Sequence, residues 1–317
     1  MATYIARRLL VAIPILLGIS VLVFCFVALT PGDPLTAYLR PEQATSPEMR
    51  AIMARELGLD QPLPVRYVRW LAQTLQGNLG YGVVSGVPVS NLVWTGLLAS
   101  ASLMGAALLI GIAVGIPLGV MSALRQYSRL DFGLTTIAFL GISTPSFLLG
   151  LGGLYVFGLT LGWFPIGGMQ EAAKPFEIPD FLRHLALPAL ILGVGYVAIL
   201  MRYTRAAMLE VVSSLYVTTA ESKGLPSRTV VVRHAFRNAL IPIVTVIGLA
   251  LPDMVGGAVI TETVFAWPGM GLRMVEAVGG RDFPVIMGIS LAIAVAVLAA
   301  NLLTDIAYAA VDPRVRY

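Results

Sequence analysis

Residues 216–242, YVTTAESKGLPSRTVVVRHAFRNALIP, form a basic, helix-prone stretch set between two long apolar runs. From Arg202 to Arg237 the chain carries six basic residues, Arg202, Arg205, Lys223, Arg228, Arg233 and Arg237, against two acids, Glu210 and Glu221. Such an excess of cations beside apolar runs marks the cytoplasmic side of a membrane. The local pattern predicts a short helix capped by Ser213 or Ser214, with Lys223 in its last turn, Gly224 in the left-handed position beyond it and Pro226 blocking continuation. Ser227 then caps a second helix through Val230 and Val231 toward Asn238, where the apolar phase resumes. The stretch reads as a compact helical knob presented to water.

Composition supports the membrane setting. The 317 residues are 57% hydrophobic and only 12% charged, with a mean hydropathy of +0.85, which a water-exposed surface of this length could not accommodate. The net charge of +4 comes almost wholly from Arg and fits positive-inside topology better than nucleic-acid binding. Cys25, the sole cysteine, lies in an apolar run, which excludes an intrachain disulfide and Cys-x-x-Cys chemistry. His184 and His234 fall on predicted opposite sides of the bilayer and are not a metal pair.

Five uncharged runs, at 9–30, 97–124, 132–170, 185–201 and 283–304, and a sixth at 238–261 broken only by Asp253, each reach the roughly 17 to 25 residues that a spanning helix needs. The first is too long for a signal-peptide h-region and is read as an anchor with its N-terminus inside. The run at 132–170 exceeds one span and contains Pro145 and two Gly pairs; one kinked helix is expected, with two short helices as the alternative. Arg and Lys concentrate on the side that holds both termini and the 216–242 loop.

Residues 31–94 are the extended polar region. Ser46 and Pro47 open a helix with Met49, Ile52 and Met53 on its apolar face and Gly58 as its stop; Val68, Leu71, Ala72 and Leu75 mark the apolar face of a second, ended by Gly77. The expected organisation is an N-terminal tail and first span at 1–30, a small extracytoplasmic helical subdomain at 31–94, and a five-helix core at 95–317 with its cytoplasmic loop at 202–237.

Within the apolar runs, Asp253 is either a lining residue of a substrate path that receives a cation or an anion satisfied by a neighbouring helix. Glu262 is read as an interface anchor, with Trp267 in the aromatic belt. Asn301 and Asp305, at i and i+4, are read as a structural hydrogen-bond pair. Gly111, Gly115 and Gly119 recur every four residues and define a face that another helix can approach closely.

Tyr216, Val217, Thr219, Ala220, Lys223, Gly224 and Leu225, followed by His234, Arg237, Asn238, Ala239 and Pro242, resemble the cytoplasmic loop of ABC importer permeases of the dipeptide, oligopeptide and nickel class. Thr218-Thr219-Ala220 stands where the wider family has Glu-Ala-Ala, and His234-Ala235-Phe236-Arg237 where it has Ile-x-Leu-Pro. Segments around Gly58 to Leu63 and Gly77 to Gly80, the Glu262 to Gly269 stretch and the tail Asp312-Pro313-Arg314 with Arg316-Tyr317 are similar to the same class. The resemblance implies an all-α, six-helix type I permease fold. It implies pairing with a homologous second permease, two cytoplasmic ATPase subunits and a solute-binding protein. Tyr216, Thr219, Ala220, Lys223, Gly224, Leu225 and Arg237 would then form the ATPase-coupling loop. ATP and Mg²⁺ would bind the partners, because no Gly-x4-Gly-Lys-Ser/Thr occurs in this chain.

Two other classes fit less well. A secondary transporter needs ionisable groups at the midplane, and beyond Asp253 and Asp305 the spans offer few. An intramembrane enzyme needs a nucleophile with a positioned base, and along the sequence no His or second carboxylate accompanies any Ser within the spans. The resemblance implies a non-catalytic transport subunit for peptides, with nickel chelates, glutathione or opine-like compounds as alternative solutes, in a bacterial inner membrane.

Overall fold

The computed structural model describes residues 2–30, 47–56, 58–250, 252–256 and 258–311. Among these, every regular element is helical; the nearest approach to a sheet is one antiparallel bridge between Tyr81 and Pro88. The first helix, α1 (Ala2–Leu29), is followed by α2 (Pro47–Glu56) and α3 (Leu63–Leu75), then by α4 (Val89–Ile110), which continues through a π-helical segment at Gly111–Gly115 into α5 (Ile116–Leu124). Next come α6 (Arg129–Ser143), α7 (Ser146–Gly153) with a π segment at Leu154–Thr160, and the 35-residue α8 (Ile178–Val212). The remainder is α9 (Leu215–Ser222), α10 (Ser227–Thr229) running through a π segment into α11 (Arg237–Ala250), the short α12 (Asp253–Gly256) and α13 (Val259–Val264), α14 (Met270–Gly279) and α15 (Phe283–Val311).

Helix α8 is the axis on which the bundle is assembled: α4, α5, α6, α7 and α11 all pack on it. The glycines of 111–119 are what allow α4 and α5 so close. A Cβ at Gly115 would stand 2.7 Å from the Val197 carbonyl oxygen, and one at Gly119 would stand 2.6 Å from that of Met201. Both obstacles are backbone and cannot rotate away, so the small-residue spacing seen in the sequence is a packing seam.

Five helical stretches are long and apolar enough to cross a membrane, Ala6–Leu29, Val89–Leu124, Ile178–Val212, Ser227–Ala250 and Phe283–Ile306. The sixth is α6 with α7, and it is no gentle kink: the two halves meet at 96° around Thr144 and Pro145. Their contacts nevertheless climb α8 in order. Asp131 meets Arg205, Gly141 faces Val194 and Ala198, and Gly153 faces Leu187 and Ile191. From Arg205 to Leu187 is about 27 Å along a helix, close to a hydrocarbon thickness of about 30 Å. The pair therefore serves as one broken span.

The expected span at 238–261 is displaced. The helix begins eleven residues earlier, at Ser227, and ends at Ala250. Ser227 is its first residue, with Pro226 in the capping position, so the loop's second helix and the span are one element. Pro cannot supply an N–H to a continuing helix, and after Pro252 the chain folds instead through α12, α13 and α14 over one end of the bundle. Asp253 therefore opens a four-residue helix rather than lying deep in a continuous one; the description there covers its backbone only. A second correction concerns α3. It turns Tyr67 and Trp70 toward α1, where the Tyr67 hydroxyl meets Ser20 Oγ at 2.8 Å and its ring lies edge-on to Phe24, while Val68, Ala72 and Leu75 are exposed. Large aromatic rings bury more area than the aliphatic stripe the spacing pointed to.

Because the seam admits no side chain, Gly115→Val should destabilise the purified protein by about 1 to 3 kcal/mol. Gly18→Val, at a position with nothing within 4 Å of a Cβ, should leave the melting temperature in detergent unchanged.

Candidate coupling surface and buried carboxylates

At the end of the bundle where α8 stops, Ser214 occupies the N-cap position of α9, although its hydroxyl donates back to the Val211 carbonyl at 2.6 Å. An eight-residue helix has little stability of its own. This one is clamped. Val217 and Ala220 are buried in a cluster with Ala123, Ala207, Met208, Val230, Ala235 and Ala239, whose small side chains let α9 lie close to three other segments. Gly224 ends it with φ +74°, the left-handed conformation read from the sequence.

The Ser and Thr hydroxyls on the outer face of α9 spend their protons on the helix's own carbonyls. Thr219 Oγ1 donates to the Leu215 carbonyl at 2.7 Å, and Ser222 Oγ to that of Thr218 at 2.9 Å. What projects is apolar and cationic: Leu215 is 86% exposed and Tyr216 46%, with Leu225, Lys223, Arg228 and Arg233 exposed beyond them. Of the residues assigned to the loop by sequence, Tyr216, Thr219, Lys223, Gly224, Leu225 and Arg237 are exposed. Ala220 is not; it faces the cluster and holds the helix down. Sequence reasoning missed Leu215, whose near-complete exposure is conspicuous at a basic end. It also missed Tyr127, 89% exposed in the turn between α5 and α6 with φ +61°.

The support beneath this surface is a buried ion pair. Asp131, almost wholly buried, receives two parallel bonds from Arg205 of α8, Nε at 2.7 Å and Nη2 at 2.8 Å. The Ser122 hydroxyl also donates to it, as does the Tyr127 N–H at 2.9 Å. One carboxylate thus ties α5, the following turn, α6 and α8 together. The sequence carries a signal for the place of Asp131, though not for its partner: Ser128 and Asp131 have capping-box spacing, and Ser128 Oγ accepts from the Asp131 N–H at 3.2 Å.

The opposite end is organised by Glu262. Its fully buried carboxylate accepts from Ser100 Oγ at 2.6 Å and from the N–H groups of Gly271 and Leu272 at 2.8 and 3.1 Å, capping the start of α14. Gly269 must be Gly, since a Cβ there would collide with this carboxylate. Trp267 is not in an aromatic belt: it is fully buried and donates its indole N–H to the Ala99 carbonyl at 2.8 Å. The tryptophans that do face outward are Trp94 and Trp163. Arg273, on α14, donates to the Leu92 carbonyl and to Thr95 Oγ1, and burial pushes its guanidinium below the usual range. Asp305 pairs across to Arg8 of α1 at 2.7 Å rather than with Asn301. The tail resemblance at Asp312 to Tyr317 lies outside the described residues.

The architecture is thus a helical bundle with up to six membrane-crossing elements and a clamped short helix at its basic end. The chain belongs to the family of binding-protein-dependent transport system inner membrane components, whose description matches residues 115–317, with the N-terminal part of the same family matching 1–86. It is similar over its full length to a putative peptide permease protein of Brucella suis biovar 1, at 49% identity with 99% of that protein covered. It is similar to the oligopeptide transport system permease protein AppB of Bacillus subtilis, at 42% with both chains wholly covered. The glutathione transport system permease protein GsiC of Salmonella paratyphi A is 37% identical, again over both whole chains. Among solved structures, the inward-facing MetNI methionine ABC transporter matches with a TM-score of 0.55 at 15% identity, covering 70% of this chain and 96% of that one. The fold is that of type I ABC importer permeases.

Arg205→Met would leave the Asp131 carboxylate buried without its cation and should cost about 3 to 5 kcal/mol. Adding Asp131→Asn should restore most of that loss, which a two-by-two comparison of melting temperatures and membrane accumulation will read directly.

Proposed function

We propose that this chain is one permease subunit of an ATP-driven importer of di- or oligopeptides, and that α9 is the surface through which ATPase subunits move it. The observation that carries the reading is the pairing of full-length similarity to peptide permeases with an exposed Leu215 and Tyr216 on a helix that its own buried side cannot release. An apolar projection ringed by cations on a solvent-facing end is a docking feature. In this reading the basic end and both termini face the cytoplasm, as the Arg and Lys distribution favours. A homologous permease completes the pore, and ATP and Mg²⁺ bind the ATPase partners. A binding protein delivers solute to the end organised by Glu262. Closure of the ATPases draws α9, and because α9 shares its core with the ends of α5, α8 and α11, the helices follow. Glutathione is the second reading, supported by the glutathione permease among the relatives.

The test uses the intact complex. Leu215→Asp should weaken ATPase association by roughly 30-fold, as expected when an interface anchor worth about 2 kcal/mol is lost, and should abolish uptake. Gly224→Val should impair coupling through a left-handed backbone cost of about 1 to 2 kcal/mol, whereas Gly224→Asn, which tolerates that conformation, should largely retain it. Wild-type ATPase stimulation and peptide uptake in Leu215→Asp would refute the docking role. Solute retained by the cognate binding protein separates peptide from glutathione.

A further inference from the structure

A cavity of about 410 Å³ lies between the Leu29 end of α1, α3, the 78–81 turn and the start of α15. Its lining combines apolar Phe24, Val27, Leu79 and Met287 with the polar Gln73 and Asn78 and with Arg66 and Arg69 of α3. Neither guanidinium makes a hydrogen bond or ion pair among the described residues, and no Asp or Glu is found among the described lining residues. Two cations above an apolar trough match an amphiphile with an anionic head.

Depth favours a lipid over a water-soluble ligand. The middle of the Ala6–Leu29 span falls between residues 17 and 18. The contacts of α3 with Ser20 and Phe24 therefore lie about 4 to 10 Å beyond that middle, short of a hydrocarbon half-thickness of about 15 Å. At its contacts with α1, helix α3 thus lies within the depth of the leaflet rather than above it. Its outward stripe of Val65, Val68 and Leu75 is exposed, as suits a face against acyl chains. Periphery points the same way: in the most apolar stretch of α1 only 11% of the residues are buried, against 50% in that of α8, so α1 and the cavity beside it lie at the margin of the bundle.

We propose that this cavity is a binding site for an anionic glycerophospholipid, whose phosphate is held by Arg66 and Arg69 while one acyl chain runs along Phe24, Val27 and Met287. Long Arg side chains can snorkel from that depth toward the headgroup, and the Phe24, Tyr67 and Trp70 rings brace α3 against α1. The lipid would fasten α3 to α1 and thereby fix the position of the segment between the first two spans.

The experiment takes the purified transport complex from nanodiscs of equimolar phosphatidylglycerol and phosphatidylcholine and measures retained lipid by native mass spectrometry. The wild type should retain phosphatidylglycerol in preference. The double variant R66Q/R69Q should lose that preference by about 25-fold, a factor of about five for each basic residue at an anionic lipid surface. R66K/R69K should keep most of it, and an unchanged melting temperature in the Gln variant should show that the fold is intact. A photo-crosslinker at Gln73, in the same lining, should yield a lipid adduct. Equal retention of the two lipids by the wild type, unchanged preference in the Gln variant, or a crosslink to a second protein at Gln73 would each overturn the proposal.

Discussion

The near-contact of two backbones along Gly111, Gly115 and Gly119 sets the distance between α4–α5 and α8, and the other helices take their positions from that pair. In lipid no hydrophobic force drives one apolar helix onto another, so association rests on van der Waals contact, and contact requires that nothing protrude. Once α8 is fixed, the broken span of α6 and α7 has a surface to climb, and its 96° bend is tolerated because each half is separately packed on α8.

Charge in this bundle is largely structural. Asp131, Glu262 and Asp282 are all buried, and each sits where a helix begins: Asp131 in the first turn of α6, Glu262 on the N–H groups of Gly271 and Leu272, Asp282 before α15 with the Val285 N–H at 3.4 Å. Asp282 also accepts from the Val84 N–H at 3.1 Å, joining the turn before α4 to the start of α15. A carboxylate at a helix N-terminus meets unpaired N–H groups and the positive end of the dipole, which offsets the cost of taking it out of water. Such placement stiffens the two ends of the bundle.

Stiff ends suit the coupling role proposed for α9. Helix α9 is too short to hold itself, so its shape depends on the alanine-rich cluster it shares with the ends of α5, α8 and α11. The same dependence that stabilises α9 binds it mechanically to those helices. A flexible loop of equal charge would bend without moving anything. The π segment at Val230–Phe236, immediately beyond, keeps the chain helical from the loop into the span, so α9's neighbour and the membrane helix are one body.

The sequence by itself determined the helical membrane class, the number of spans, the basic loop with its Gly224 stop and the close-packing glycines, because these depend on composition, on run length and on local backbone chemistry. It did not determine which face of a helix meets which neighbour. Hence Val68, Ala72 and Leu75 lie outside while Tyr67 and Trp70 lie inside, Trp267 is core rather than belt, and Asp305 reaches Arg8 instead of Asn301. Nor did it place the break after Ala250 or the Asp131–Arg205 pair, whose members are 74 residues apart. In a chain this apolar almost every face is eligible for burial, so hydrophobic periodicity loses its power to discriminate. Only the fit of particular side chains against particular partners settles the choice, and that fit exists only once the bundle is assembled.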